Sequence, residues 1–154
     1  AKVLSDKGSP FLRSIIINKG SKHKINLGMV VMDGAYLVGK VVEVNYLSSR
    51  VLLLSDLNSK IPVIIEPNAV FSILSGTGKD YGIIQYSKKY EDIKNESIIY
   101  TSGSGSLFKA GIPIGRMNIN NSGDEKKVQF FSDFSQLKFV KVISFKKSEN
   151  KWQG

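Results

Sequence analysis

The stretch Leu37-Val38-Gly39-Lys40-Val41 returns later in the chain as Pro113-Ile114-Gly115-Arg116-Met117. In each case a basic residue and an apolar run follow, Arg50-Val51-Leu52-Leu53-Leu54 and Lys127-Val128-Gln129-Phe130-Phe131, and then Ser55-Asp56 or Ser132-Asp133. Upstream, Ile25-Asn26-Leu27-Gly28-Met29-Val30-Val31 is echoed by Ile93-Lys94-Asn95-Glu96-Ser97-Ile98-Ile99. Order and spacing are kept, with about one residue of slack before each apolar run. Chance supplies one such block, but hardly three in register, so the pattern marks an internal duplication of a β-rich unit. Gly39 with Gly115, and Asp56 with Asp133, are its structural repeat positions.

The rest of the chain agrees with a β-rich unit. Ser14-Ile15-Ile16-Ile17-Asn18, Val41-Val42-Glu43-Val44 and Phe139-Val140-Lys141-Val142-Ile143 are short and rich in β-branched residues. Gly, Asn, Ser and Asp punctuate them, as at Asn18-Lys19-Gly20-Ser21, Asp33-Gly34, Asn58-Ser59, Asn121-Ser122-Gly123-Asp124 and Ser102-Gly103-Ser104-Gly105-Ser106. No window carries a helical stripe, apart from a turn near Glu91 to Asn95. Pro62 and Pro113 cannot donate to a sheet ladder and mark a strand start or edge. The expected class is all-β: two tandem small β-barrels. The expected boundaries are a lead-in over 1–9, a first barrel over 10–66, a second over 67–146, and a polar tail over 147–154.

The two apolar runs are continuous, whereas a small barrel with a wet exterior alternates. Both faces of these strands should therefore be covered, one by the barrel's own core. The other cover is either the neighbouring barrel or a partner protein. Burying one such side chain is worth roughly 1.5–3 kcal/mol, so leaving several bare makes an adhesive surface.

Of 154 residues, 42% are hydrophobic, enough for a core and against disorder. A formal charge of +9 points to anionic company: nucleic acid, a lipid headgroup surface or an acidic wall polymer. The lysines, however, are scattered, and the aromatics lack the spacing of a base-stacking sheet, so nucleic acid is not expected as a partner. With no cysteine there is no disulfide, thiol nucleophile or thiolate zinc site. No signal peptide or apolar run of the roughly 18–20 residues needed to cross a bilayer is present, and the start at Ala1 without methionine reads as a fragment.

Three catalytic patterns are present in outline. Gly34-Ala35-Tyr36-Leu37-Val38-Gly39-Lys40-Val41 imitates a phosphate-binding loop, but Val41 stands where a hydroxyl must meet magnesium, and Tyr36 and Leu37 would block the cradle. His23, Asp56 and Ser104 follow the chain order of chymotrypsin-like proteases, themselves paired barrels. His23 nevertheless lies between Lys22 and Lys24, and Asp56 has its twin Asp133, which speaks for a turn-capping role. Acidic residues are too dispersed for a metal cluster. The residues thus describe a binding or scaffolding module with no catalytic, cofactor or metal site.

Tyr81, Tyr86 and Tyr90 open the second unit, and the matching stretch from Ile15 to Lys24 has no aromatic residue. Packing of a duplicated unit is shared by both copies, so aromatics private to one copy point to a private contact. Tyrosine suits such a role, burying its ring while its hydroxyl tolerates a wet rim. These three are the expected partner interface.

Further blocks carry a resemblance. Ile17-Asn18-Lys19-Gly20-Ser21, Leu37-Val38-Gly39-Lys40-Val41, Ser49-Arg50-Val51-Leu52-Leu53, Asp56-Leu57-Asn58-Ser59-Lys60-Ile61-Pro62-Val63 and Ser75-Gly76-Thr77-Gly78 resemble the signature blocks of the rod-shape-determining MreC family. Tyr100-Thr101-Ser102-Gly103 and Phe108-Lys109-Ala110-Gly111-Ile112-Pro113-Ile114-Gly115 continue the series in order, and the likeness spans residues 3–144. The chain departs from it with Ser104-Gly105-Ser106 and Lys109, where family members often carry Gly-Gly and Pro.

The resemblance implies a non-enzymatic scaffold of cell elongation. Family members have a short cytoplasmic end, one membrane helix, a coiled coil and two β-barrels on the periplasmic face of the inner membrane. The barrels resemble a catalytically inert chymotrypsin-like pair. The implied partners are the penicillin-binding transpeptidase of elongation, MreD, the actin-like MreB, and a second copy in a homodimer. No cofactor is implied.

Overall fold

The computed structural model describes residues 1–4, 13–85, 95–103, 109–119 and 126–144. Within them the chain is all-β, with 3-10 turns at Ser21–His23 and Phe134–Gln136. Of the turn expected near Glu91 to Asn95, only Asn95 lies inside the described residues. The strands are β1 (Val3–Leu4), β2 (Ser14–Ile17), β3 (Val30–Asp33), β4 (Tyr36–Val44), β5 (Ser49–Leu53), β6 (Lys60–Glu66), β7 (Val70–Gly76), β8 (Tyr81–Gln85), β9 (Ile98–Thr101), β10 (Pro113–Asn118), β11 (Lys127–Phe130) and β12 (Lys141–Ile143).

They form two antiparallel assemblies. One is a curved six-stranded sheet in the order β1-β2-β5-β4-β3-β12, and the other is a closed barrel, β10-β11-β8-β7-β6-β9. The all-β expectation holds, with one unit a closed barrel and the other a half-barrel sheet. The strand pairings of the two halves correspond residue by residue. Gly39 pairs with Val31 and Leu53, while Gly115 pairs with Ile99 and Phe130. A bulge puts Met32 opposite Leu37 one step on, and the same bulge puts Tyr100 opposite Pro113.

The correspondence extends to closure. In the second unit β6 pairs with β9 and β7 with β8, and the β6–β7 hairpin seals the barrel. In the first unit β12 occupies the place of β6 and β1 the place of β7. Among the described residues their edges meet at one bridge, Lys2 to Phe139, flanked by Val3 N–H donating to Lys138 O and Val140 N–H to Ala1 O, each at 2.8 Å.

This corrects the expected boundaries. Lys60–Glu66 belongs to the closed barrel, not to a first barrel ending at residue 66, and Lys141–Ile143 returns to the first sheet. The closed barrel spans 60–130 and is inserted between β5 and β12 of the first unit. Glu66-Pro67-Asn68 runs from the end of β6 into the 67–69 turn of the β6–β7 hairpin; turns and domain linkers share the same residues, and composition alone does not separate them. Within the 1–9 lead-in, Val3–Leu4 is a paired strand, and the tail over 147–154 lies outside the described residues. Pro113 starts β10, but Pro62 sits inside β6, where its carbonyl accepts Ser102 N–H at 3.4 Å just beyond the last β6–β9 pair, Val63 with Thr101.

Two cores result. Ile17, Ile25, Val31, Val38, Val41, Val51 and Val140 fill the first unit. The closed barrel buries Ile61, Val63, Ile65, Leu74, Ile99, Ile114, Met117 and Val128, and that core is continuous with Val30, Met32, Leu37 and Leu54 from the outer face of the first sheet. The neighbouring barrel is therefore the second cover of the first apolar run: Val51 faces its own core, and Leu54 faces the seam. Each side chain buried there is worth roughly 1.5–3 kcal/mol, so the two units are held together by hydrophobic burial.

Candidate interaction site

Asp56 closes β5 with both carboxylate oxygens engaged. Oδ2 accepts the Arg13 N–H at 2.6 Å, and Oδ1 accepts the Asn58 N–H at 2.8 Å and the Asn58 side-chain amide at 3.0 Å. It is fully buried. His23 stands beyond the other end of β5, exposed, its Nδ1 accepting the Gly20 N–H at 3.1 Å. The His23–Asp56 half of a triad is thus not assembled: one carboxylate oxygen holds the Asn58 turn, the other holds the Arg13 backbone, and His23 Nδ1 faces Gly20. Ser104 lies outside the described residues. Gly34 to Val41 is a hairpin turn and strand, with no helix behind it to bind a phosphate. Among the described residues no group of three His, Asp or Glu side chains could hold a metal ion.

Asp133 follows the second apolar strand and caps in the same way, its Oδ1 accepting the Ser135 N–H at 3.0 Å and the Ser135 hydroxyl at 2.6 Å. Here the carboxylate is exposed. The Ser135 hydroxyl, and then its backbone N–H, stabilise the anion and hold its pKa below the usual carboxylate value.

Of the three tyrosines, Tyr81 is half-buried on β8, opposite Gln129, the place that Ser14 holds opposite Leu52 in the first unit. The Lys127 ammonium lies 4.7 Å from its ring centre. Tyr81 borders a polar groove of about 1070 Å³ together with Arg13, Lys79, Asp80, Phe131 and Asp133. Tyr86 and Tyr90 lie outside the described residues.

A second surface was not singled out from the sequence. On the outside of the closed barrel, Phe71, Ile64 and Tyr100 stand in one row across β7, β6 and β9, each directly opposite the next. Strand alternation explains the row: Val63 and Ile65 point into the core, which turns Ile64 outward. Pro62 and Ile73 form the adjacent row and are half-buried. Phe71 is 63% exposed. Beside it a groove of about 450 Å³ is lined by Ile64, Glu66, Phe71, Tyr100, Ala110 and Gly111. Its wall is fixed by buried Thr101, whose hydroxyl donates to Lys109 O and accepts the Ile112 N–H at 3.0 Å. Such a groove fits apolar side chains of another chain, with one carboxylate at its border. In the sequence, Pro62 reads only as a strand start or edge; which apolar residues remain outside depends on what covers the barrel.

Comparison with known proteins bears on both units. The family described as "Rod shape-determining protein MreC, barrel core" matches residues 3–144. The cell shape-determining protein MreC of Cereibacter sphaeroides is 32% identical over 142 residues, covering 92% of this chain and 47% of that protein. That of Escherichia coli is 32% identical over 114 residues, covering 73% and 31%. The chain thus spans about half the length, or less, of the curated relatives it matches. The crystal structure of MreC from Pseudomonas aeruginosa superposes with a TM-score of 0.83 at 30% identity, over 93% of this chain and 96% of that one. A complex between penicillin-binding protein PBP2 and MreC from Helicobacter pylori shares the fold, with a TM-score of 0.67 at 18% identity over 88% of this chain and 89% of that one.

Proposed function

The chain belongs to the MreC family of rod shape-determining proteins, and from that membership we propose that it is a non-enzymatic scaffold in the formation and maintenance of rod cell shape. Its place in this reading is the periplasmic face of the inner membrane, in a longer protein that carries the membrane anchor. The partners are a penicillin-binding transpeptidase of elongation, MreD, MreB and a second copy of the protein. The Helicobacter pylori complex of PBP2 and MreC supports the first of these.

The observation in the structure that carries the contact with the transpeptidase is the row Phe71–Ile64–Tyr100. An apolar row on the outside of a barrel whose core is already filled costs solubility and is retained where another protein covers it. Tyr81, Tyr86 and Tyr90 are proposed as a second contact with the same transpeptidase, Tyr81 entering through the polar groove it borders.

The test is Phe71→Asp with Tyr100→Asp in the native host, alongside binding of the purified chain to the extracytoplasmic part of the transpeptidase. Rods should become round and the binding should fall at least tenfold, because a charge placed in an apolar contact costs more than about 1.4 kcal/mol. Rods of normal width together with unchanged binding would reject the proposal.

A further inference from the structure

One end of the first unit is made of two loops locked together. The β2–β3 loop and the β4–β5 hairpin meet where Ser21 and Lys22 donate backbone N–H to the carbonyls of Asn45 (2.9 Å) and Tyr46 (3.0 Å). The Ser49 hydroxyl donates to Lys19 O at 2.7 Å. Gly20 lies under the junction, where a Cβ would stand 2.1 Å from Asn45 O, so the approach requires glycine.

The backbone is engaged, yet the side chains at the tip are not. Tyr46 is 64% exposed, Leu47 57%, and Leu27, farther along the same loop, 67%. Lys22, His23 and Lys24 are exposed beside them, and Lys2 is tied to this end by its N–H bond to Asn18 Oδ1 at 2.8 Å. No acidic residue occurs between Asp6 and Asp33. On the hairpin, the Glu43 carboxylate is paired with Arg50 at 3.3 Å. The tip therefore combines a rigid backbone, a tyrosine and two leucines at the surface, and unbalanced lysines.

We propose that this end of the first unit docks on an anionic lipid bilayer surface, with Tyr46 and Leu47 entering the interfacial layer and Lys22 and Lys24 meeting the headgroups. Tyrosine and leucine gain from leaving water at that depth, and lysines gain from the surface potential. A soluble acidic polymer would engage the lysines and leave Tyr46 and Leu47 idle.

The test is co-sedimentation of the 154-residue chain with phosphatidylcholine vesicles, with and without phosphatidylglycerol. Binding should require the anionic lipid and weaken with salt. Lys22→Gln with Lys24→Gln should lower partitioning about thirtyfold. Tyr46→Ser with Leu47→Ser should lower it about tenfold. Lys60→Gln with Lys79→Gln, exposed on the closed barrel, should leave it near the wild-type value. All the substituted side chains are exposed, and thermal melts check that each variant folds. Absence of binding to anionic vesicles, or equal loss in the control pair, overturns the proposal. So does vesicle binding indifferent to Tyr46 and Leu47, including the case where inorganic polyphosphate binds equally well, which would assign this end to an acidic polymer.

Discussion

Gly39 and Gly115 occupy the same position in the two units. A Cβ on Gly39 would stand 2.2 Å from the carbonyl oxygen of Leu52, and one on Gly115 would stand 2.2 Å from that of Gln129. In both places the opposing strand crosses so closely, one residue from a bulge, that only a hydrogen fits.

Alanine at either position must therefore push backbone against backbone. We expect Gly39→Ala and Gly115→Ala each to cost about 3 kcal/mol or more, read from denaturant midpoints at constant m-value. A loss below about 0.5 kcal/mol at either site would show that the strands part at little cost.

Asp56 and Asp133 make the same first bond, a carboxylate oxygen to the N–H two residues on, but only Asp56 is buried and also holds Arg13. Asp56→Ala should cost roughly 2–4 kcal/mol, because the Arg13 and Asn58 amides lose a charged acceptor. Asp133→Ala should change the unfolding midpoint far less, since water replaces the lost bonds.

The lowered pKa of Asp133 carries a pH signature. A carboxylate whose folded pKa lies below its unfolded value contributes stability that is complete above the unfolded pKa and is lost as pH falls through the folded one. Ser135→Ala should raise the Asp133 titration toward the ordinary value, followed by the carboxyl carbon resonance. An unmoved titration would remove the serine hydroxyl as the cause.

Tyr36 of the first unit and Phe131 of the second meet at the seam, ring centres 5.0 Å apart and planes tilted by 39°, and the Arg116 guanidinium lies 5.5 Å from the Phe131 ring centre. A double-mutant cycle of Tyr36→Leu and Phe131→Leu should return a coupling of about 0.5–1.5 kcal/mol. Additive single losses would show that the two rings do not couple across the seam.

The sequence alone determined the class, the repeat and the family, because each is written locally: β-branched runs, Gly and Asn breakers, and blocks recurring in order around Gly39 and Gly115. It placed the division at Glu66-Pro67-Asn68, since a hairpin turn and a domain linker are composed alike. Only the tertiary structure decided that Lys60–Glu66 closes the second barrel while Lys141–Ile143 returns to complete the first sheet, because pairing between strands far apart in the chain is settled by hydrogen bonding across the fold. The tertiary structure likewise separated Asp56 from its twin and left Phe71, Tyr46 and Leu47 uncovered. An apolar side chain has the same letter whether it is inside or outside; its exposure depends on which neighbours the fold brings over it.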